Sequence, residues 1–234
     1  MSRSLPAPRA IGALAVIAAL AVLAVAGCAT KTVAPPPADV PPAANSAAGA
    51  VKRLDWAINH RDPDMVAGML TNDFQFISAG TDSAGNASRD SVGDRSWLDV
   101  ALRALLDPAN QVSLKLDANP IPFPDSRPGK DPKWHRQVRS SINLRVHDAQ
   151  ANTTFEVTGN ALFFMTRGDS AQIPPELLAR GVKPDSTVWW FDRCEDETLG
   201  GAGVRAPTSP AATNPSFVPT LAYLLRYYYS RSMK

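Results

Sequence analysis

Apolar and polar positions change period several times along the chain, and the changes mark out its elements. From Val51 to Arg61 the apolar residues Val51, Leu54 and Ile58, with Trp56 and Ala57 beside them, fall at helical spacing. Asp62-Pro63-Asp64 interrupts the stripe. Asp62 has the chemistry of a cap and Pro63 suits a first helical position, so a second short helix is predicted over Pro63–Leu70. Phe74–Ser78 alternates as a strand, and Ala79–Asp94, rich in Gly, Ser, Asn and Asp, reads as a loop. Ser96–Asp107 is a helix whose buried face carries Trp97, Val100, Ala101, Leu105 and Leu106, and Val112–Asp117 is a strand. Asn119–Trp134 holds five prolines and reads as a long exposed excursion. His135–Asp148 sets Val138, Ser140, Ile142, Leu144 and Val146 against charged or polar neighbours, a strand with one buried face. Thr153–Arg167 is another strand, with Gly159 a predicted bulge, and Gly168–Lys183 is a loop with one helical turn at Pro174–Arg180.

The last strand of this series is Ser186–Thr198, where Val, Trp, Phe and Thr cluster. Strict alternation puts Trp190, Asp192, Cys194 and Asp196 on one face, and Trp189, Phe191, Arg193 and Glu195 on the other. Both faces mix apolar and polar groups, which fits a curved sheet covered in part on both sides. Gly200, Gly201 and Gly203 end the strand.

The order helix, helix, strand, helix, four strands resembles the nuclear transport factor 2-like superfamily, which also holds SnoaL-like and ketosteroid isomerase-like proteins. The matching residues are Ala57-Ile58-Asn59-His60-Arg61-Asp62 with Met69-Leu70-Thr71-Asn72-Asp73-Phe74, the Arg167-Gly168-Asp169 turn, and Trp189–Thr198 as last strand. The resemblance covers Val51 to about Thr198. It implies an α+β fold of the cystatin-like kind, a cone-shaped curved antiparallel sheet packed against three helices from the N-terminal half. It implies no particular activity. Enzymes of the superfamily place acid and base groups inside the cone, and dimers through the open sheet face are common in it, so a homodimer is within what the resemblance implies.

Ahead of this domain lies a segment of a different kind. Arg3 and Arg9 precede the apolar run Ile11–Ala26, and Val25-Ala26-Gly27-Cys28 follows, the layout of a secretory signal whose end resembles a bacterial lipobox. Cleavage before Cys28 would leave a lipidated N-terminal cysteine, and two or more acyl chains make an anchor stable. An uncleaved spanning helix is the competing reading, but the run is at the short end for one and no basic cluster follows it. Ala29 after the cysteine implies outer-membrane sorting, with the protein facing the periplasm. The expected organisation is therefore residues 1–27 as signal peptide, 28–50 as a Pro/Ala-rich tether, 51–199 as the domain, and 200–234 as a C-terminal extension.

Charge narrows the partners. The chain carries 24 Lys and Arg against 22 Asp and Glu, and without Arg3 and Arg9 the two signs balance. No basic run suggests nucleic acid, and a membrane held through the anchor, an apolar small molecule or an envelope protein are the partners expected. Three scattered histidines and Cys194 match no metal-ligand spacing, so neither metal nor cofactor is expected.

Candidate chemistry is sparse. An isomerase of this shape needs a carboxylate base and an oxyanion donor, often Tyr, yet Tyr223, Tyr227, Tyr228 and Tyr229 all lie in the tail. A dehydratase-like site would want a His–Asp pair, from His60, His135, His147, Asp192 and Asp196. Asp192 would have a raised pKa if it faced an aromatic pocket, and an ion pair with an arginine is the alternative. Cys194 reads as a small buried hydrophobe rather than a nucleophile. Trp56, Phe76, Trp190, Asp192 and Cys194 are the candidate lining of a pocket, with Phe163 among the side chains that could fill it instead. The tail turns amphipathic at Leu221, Leu224, Leu225 and Tyr228, and reads either as a surface for a membrane or partner or as a helix docked on the domain. The leading functional reading is a lipid-anchored, non-catalytic ligand- or partner-binding module. A small-molecule lyase or isomerase using Asp192 with a histidine, with Asp192 and His60 as the candidate catalytic residues, is the alternative.

Overall fold

A computed structural model of the protein describes residues 39–81, 87–168, 175–183, 187–198 and 219–233. The chain divides into Met1–Val40, of which only residues 39 and 40 are described, and a unit spanning Pro41–Lys234. The signal segment, Cys28, the start of the tether and the glycines after Thr198 lie outside the described residues.

The unit opens with α1 (Ala47–Asn59), capped by Ser46, whose hydroxyl accepts from Gly49 N–H at 2.9 Å. Helix thus begins inside the segment expected to be tether. Ala44, Ala47 and Ala50 are buried, and Ala44 O accepts from Trp189 N–H. α2 (Pro63–Gly68) follows, with Pro63 in its first turn and the Asp62 side chain accepting from Met65 N–H at 2.8 Å. β1 (Leu70–Thr81) leads into β2 (Ala87–Asp94), which pairs antiparallel with it where a loop was expected. Asp94 ends β2 and caps α3 (Arg95–Leu105). β3 (Gln111–Leu116) and the short β4 (Pro122–Pro124) both pair with β5 (His135–Asp148), and β6 (Thr153–Gly168) returns antiparallel beside it. A five-residue helix, α4 (Pro175–Ala179), precedes β7 (Val188–Thr198), and α5 (Leu221–Ser232) ends the described chain.

The fold is α+β with a curved, unclosed sheet, as the element order implied. The strand order is β2-β1-β7-β6-β5-β3, with β4 also on β5. The sheet is mixed rather than antiparallel throughout, because β1 and β7 run parallel. The last strand inserts between the first strand and β6, so its direction is set by β6 and cannot oppose both neighbours. A fourth helix also joins the three expected from the N-terminal half: α5 packs on α3, and Ala222, Leu224, Leu225 and Tyr228 are buried.

Alternation sorts β5 cleanly. Val138, Ser140, Ile142, Leu144 and Val146 are buried on the helix side, with exposed residues between them. Gly159 has φ +139°, a conformation that favours glycine, but the β5–β6 register runs unbroken through it. The break falls five residues later, at Phe164/Met165 opposite β7.

Candidate functional site

That break is a β-bulge, and it decides which way β7 points its side chains. Phe164 pairs with Arg193 and Met165 with Phe191, so Asp192 is the extra residue on β7. Phe191 and Cys194, three positions apart, consequently both face the helices and join the main core, as do Trp189 and Phe163. Trp190 lies on the other side, in a separate cluster with Val182. The expected single face of Trp190, Asp192, Cys194 and Asp196 is therefore split: Cys194 and Asp196 face inward, Trp190 and Asp192 outward.

Inside, between helices and sheet, lies a cavity of about 90 Å³. Its described lining is Leu, Ile, Val and Phe throughout, apart from Cys194. α1 supplies Leu54 and Ile58, α3 supplies Leu98, Leu102 and Leu105, and α5 supplies Leu221 and Leu225. Phe76, Phe163 and Phe191 stand on the sheet side, and Phe163 and Phe191 meet edge to face with centroids 5.4 Å apart. Leu54, Leu116 and Leu221 are its half-buried members. A space this size exceeds a water molecule's share of liquid volume, about 30 Å³, and is well under the roughly 300–1,000 Å³ of drug-sized ligand pockets. It suits a few carbon atoms of an apolar group and offers no acid or base among the described residues lining it.

Of the candidate lining residues, Phe76 and Cys194 reach this cavity, while Trp56, Trp190 and Asp192 do not. Trp56 packs at the edge of the core and stacks on His60, with centroids 3.7 Å apart and planes at 12°. His60 follows α1 at the surface, its Nδ1 2.8 Å from Trp56 O. His147 lies on the outer face with Nδ1 3.1 Å from Thr154 Oγ1. Burial pushes the Cys194 thiol well up, and the charges of Asp196 and Glu195 add to it, the opposite of what a nucleophilic thiolate needs.

Asp192 sits in an ionic cluster on the outer face. Its Oδ2 accepts from Arg127 Nη2 at 2.5 Å, its Oδ1 accepts from Arg180 Nη2, and Lys130 Nζ lies 3.7 Å away. Arg127 is also held by Asp125, through Nε at 3.1 Å and Nη2 at 2.7 Å, and its guanidinium lies 4.4 Å above the Phe164 ring. Arg180 Nε donates to Asp73 Oδ1 at 2.6 Å. The chain turns back after Arg180 at Gly181, with φ +82° and Asn72 so close that a Cβ would lie 2.2 Å from its amide nitrogen. Burial alone would raise the Asp192 pKa, but Arg127 and Arg180 more than offset it and hold it below the usual carboxylate range. The raised value that an aromatic pocket would give Asp192 is therefore not found, and the other reading of the residue, an ion pair with arginine, is the one that forms.

Asp196, facing inward, holds α5. Its carboxylate accepts from Ala222 N–H at 2.6 Å and from Thr198 Oγ1 at 2.5 Å, while Thr198 Oγ1 accepts from Leu221 N–H at 2.8 Å. Burial pushes its pKa up despite these donors. The other end of α5 is fixed by the fully buried Asp148, which accepts from Ala151 N–H at 2.8 Å, from Tyr227 Oη at 3.2 Å and from Arg231 Nη1. The tail tyrosines thus belong to the folded unit, but Tyr227 serves as a clamp. Tyr229 packs on Trp97 with centroids 5.6 Å apart. None of the four lines the cavity.

Arg127, Lys130, Arg180 and Asp125 carried no signal as site residues. Asp125, Arg127 and Lys130 lie in the stretch read as an exposed excursion, Arg180 ends the predicted helical turn, and the pairing of Arg127 with Asp192 spans 65 positions. Nothing local marks Asp192 as bulged either.

No protein-family model and no curated protein matches the sequence. Solved structures do resemble the fold. A nuclear transport factor 2-like superfamily protein from Salmonella enterica is 14% identical, with a TM-score of 0.43 over 70% of this chain and 94% of that one. A protein of unknown function from Mycobacterium tuberculosis is 12% identical, with a TM-score of 0.45 over 78% of this chain and 83% of that one. A ketosteroid isomerase-like protein from Erwinia carotovora is 12% identical, with a TM-score of 0.35 over 59% of this chain and 82% of that one. At that level of likeness they assign this chain neither an activity nor a ligand.

Proposed function

We propose that the protein is a lipid-anchored module of the bacterial envelope that binds an apolar group in the cavity between its helices and sheet, without catalysing a reaction on it. The observation that carries the binding reading is the lining itself. A cavity walled by aliphatic and aromatic side chains, with one inert thiol, has only apolar contact to offer an occupant. Acid–base chemistry needs a titratable group within hydrogen-bond reach of the reacting atom. Asp192 is held by Arg127 and Arg180 away from the cavity, and His60 stacks on Trp56 at the surface. The size favours the end of an alkyl chain or a comparably small apolar group over a fused ring system.

The anchoring part of the reading rests on the residues around Cys28, and it places the unit at the outer membrane, facing the periplasm. Nucleic acid is not a partner in this reading. The outer face of the sheet is laced with ion pairs, Arg139 with Glu197 and Arg145 with Glu156, so a homodimer formed there would be polar.

Two measurements test the proposal separately. In cells fed radiolabelled palmitate, the parent protein takes up label and Cys28→Ser does not; equal labelling sinks the anchor. Native mass spectrometry of the Pro41–Lys234 unit recovered from an envelope extract is expected to show a reproducible apolar adduct. Leu225→Trp, which fills the cavity, is expected to lose it. An adduct that persists in Leu225→Trp would place the ligand elsewhere.

A further inference from the structure

His135, Thr166 and Trp190 form one row across β5, β6 and β7, since His135 pairs with Thr166 and Thr166 with Trp190. All three are buried on the outer side of the sheet, His135 at 7% exposure and Thr166 at 0%. Val182 packs against Trp190, and the turn at Asp131 covers the imidazole, whose Nδ1 lies 3.2 Å from Asp131 O. A carbonyl can only accept, so Nδ1 carries the proton and Nε2 presents its lone pair. Among the described residues that Nε2 has no hydrogen-bond partner, and neither has Thr166 Oγ1. Directly paired residues on neighbouring strands hold their Cβ atoms about 4.5–5.5 Å apart, which sets the two side chains next to each other on one face of the sheet. One is an acceptor and the other can donate. Burying two such atoms unmatched is costly and rare in native proteins.

We propose that this row is a second binding site, in which one neutral hydroxyl group donates to His135 Nε2 and accepts from Thr166 Oγ1. Charge argues for neutrality. The nearby cations Arg127, Lys130 and Arg180 are matched by Asp73, Asp125 and Asp192, which leaves no surplus for an ionic ligand. Burial, and after it the charge of Lys130, depress the His135 pKa and keep the imidazole an acceptor at neutral pH. The hydroxyl is supplied either by a buried water or by a small polyol, with Trp190 as the apolar wall beside it. A hydroxyl held there would be hydrogen-bonded to an imidazole of fixed tautomer, the arrangement of a positioned base.

The test is a cycle of thermal unfolding midpoints on the full-length chain. With an occupant shared by both groups, Thr166→Val lowers the midpoint by several degrees in the parent. In a His135→Phe background, where the shared occupant is lost, it no longer lowers the midpoint, and Thr166→Ser retains the parent midpoint. If the site is empty, Thr166→Val removes an unsatisfied hydroxyl and raises the midpoint in both backgrounds, which overturns the proposal. Should His135→Phe fail to fold, the ¹⁵N resonance of His135 Nε2 in the parent serves instead: Thr166→Val shifts it if an occupant is shared, and an unmoved resonance overturns the proposal. Erythritol identifies the source. A greater midpoint gain in the parent than in Thr166→Val assigns a polyol, and equal gains assign water.

Discussion

Replacing Asp192 with asparagine tests the geometry of the outer-face cluster most directly. The carboxylate is the shared partner of Arg127 and Arg180, with Lys130 a third, longer contact, and its side chain is only 7% exposed. Removing one member of a buried ion pair costs about 3–5 kcal/mol. Here the loss is smaller, because Arg127 keeps Asp125, Arg180 keeps Asp73, and the two arginine side chains are 17% and 15% exposed. A cost of about 2 kcal/mol follows, or roughly 4–8 °C in Tm for a unit of this size. The effect has a pH signature. Asp192 is depressed in the folded state, so its stabilisation is present above the unfolded carboxylate pKa, about 3.9, and disappears as pH falls through the folded value. Asp196 has a raised pKa and contributes with the opposite sign, so only the difference between parent and variant isolates Asp192. Urea unfolding of both proteins near neutrality and at about pH 2 gives that difference. The argument fails if the variant matches the parent near neutrality, or if the gap persists undiminished in acid.

Other consequences of the same geometry are open to measurement. Cys194 should resist a thiol reagent in the native protein and react at the rate of global unfolding, so rapid native labelling would show the cavity wall to be open. Arg231→Met leaves the fully buried Asp148 without its cation and should cost about 2–3 kcal/mol by denaturant titration; no loss would mean that α5 is held by its apolar face alone. His135, buried neutral with a depressed pKa, makes stability fall as pH drops below its unfolded value of about 6.5; His135→Gln should flatten that slope.

The sequence announced much of the architecture and little of the site. β5 was legible to its end residues because from Val138 to Val146 its inward face is apolar apart from Ser140, whereas the outward positions between carry arginine, serine and asparagine. Asp62-Pro63 announced α2 through cap chemistry that acts within one turn. β2 was missed because an edge strand exposed on most of its length needs no apolar alternation, and Gly, Ser and Asp are then no obstacle. The single face expected of Trp190, Asp192, Cys194 and Asp196 was misjudged because one unpaired residue, Asp192, reverses the alternation from there on, and that bulge shows only in the pairing with β6. Arg127, 65 positions away, and Arg180, 12 positions away, became the partners of Asp192 through loop packing, which leaves no periodic trace.

The parallel pairing of β1 with β7 has a consequence for how the chain acquires its structure. β7 lies between β1 and β6, so the hairpin of β1 and β2 has no neighbour in the sheet until the last strand arrives. Leu70 meets Phe191, and the Ala44 carbonyl meets the Trp189 amide, across more than half the length of the protein. Contacts so distant in sequence close slowly, because the loop entropy is lost before any contact compensates it. A chain lacking only its final fifth is therefore not mostly folded. It holds two pieces of sheet with exposed facing edges, and a stop codon or a proteolytic cut just before Val188 should yield an aggregating fragment rather than a slightly weakened protein.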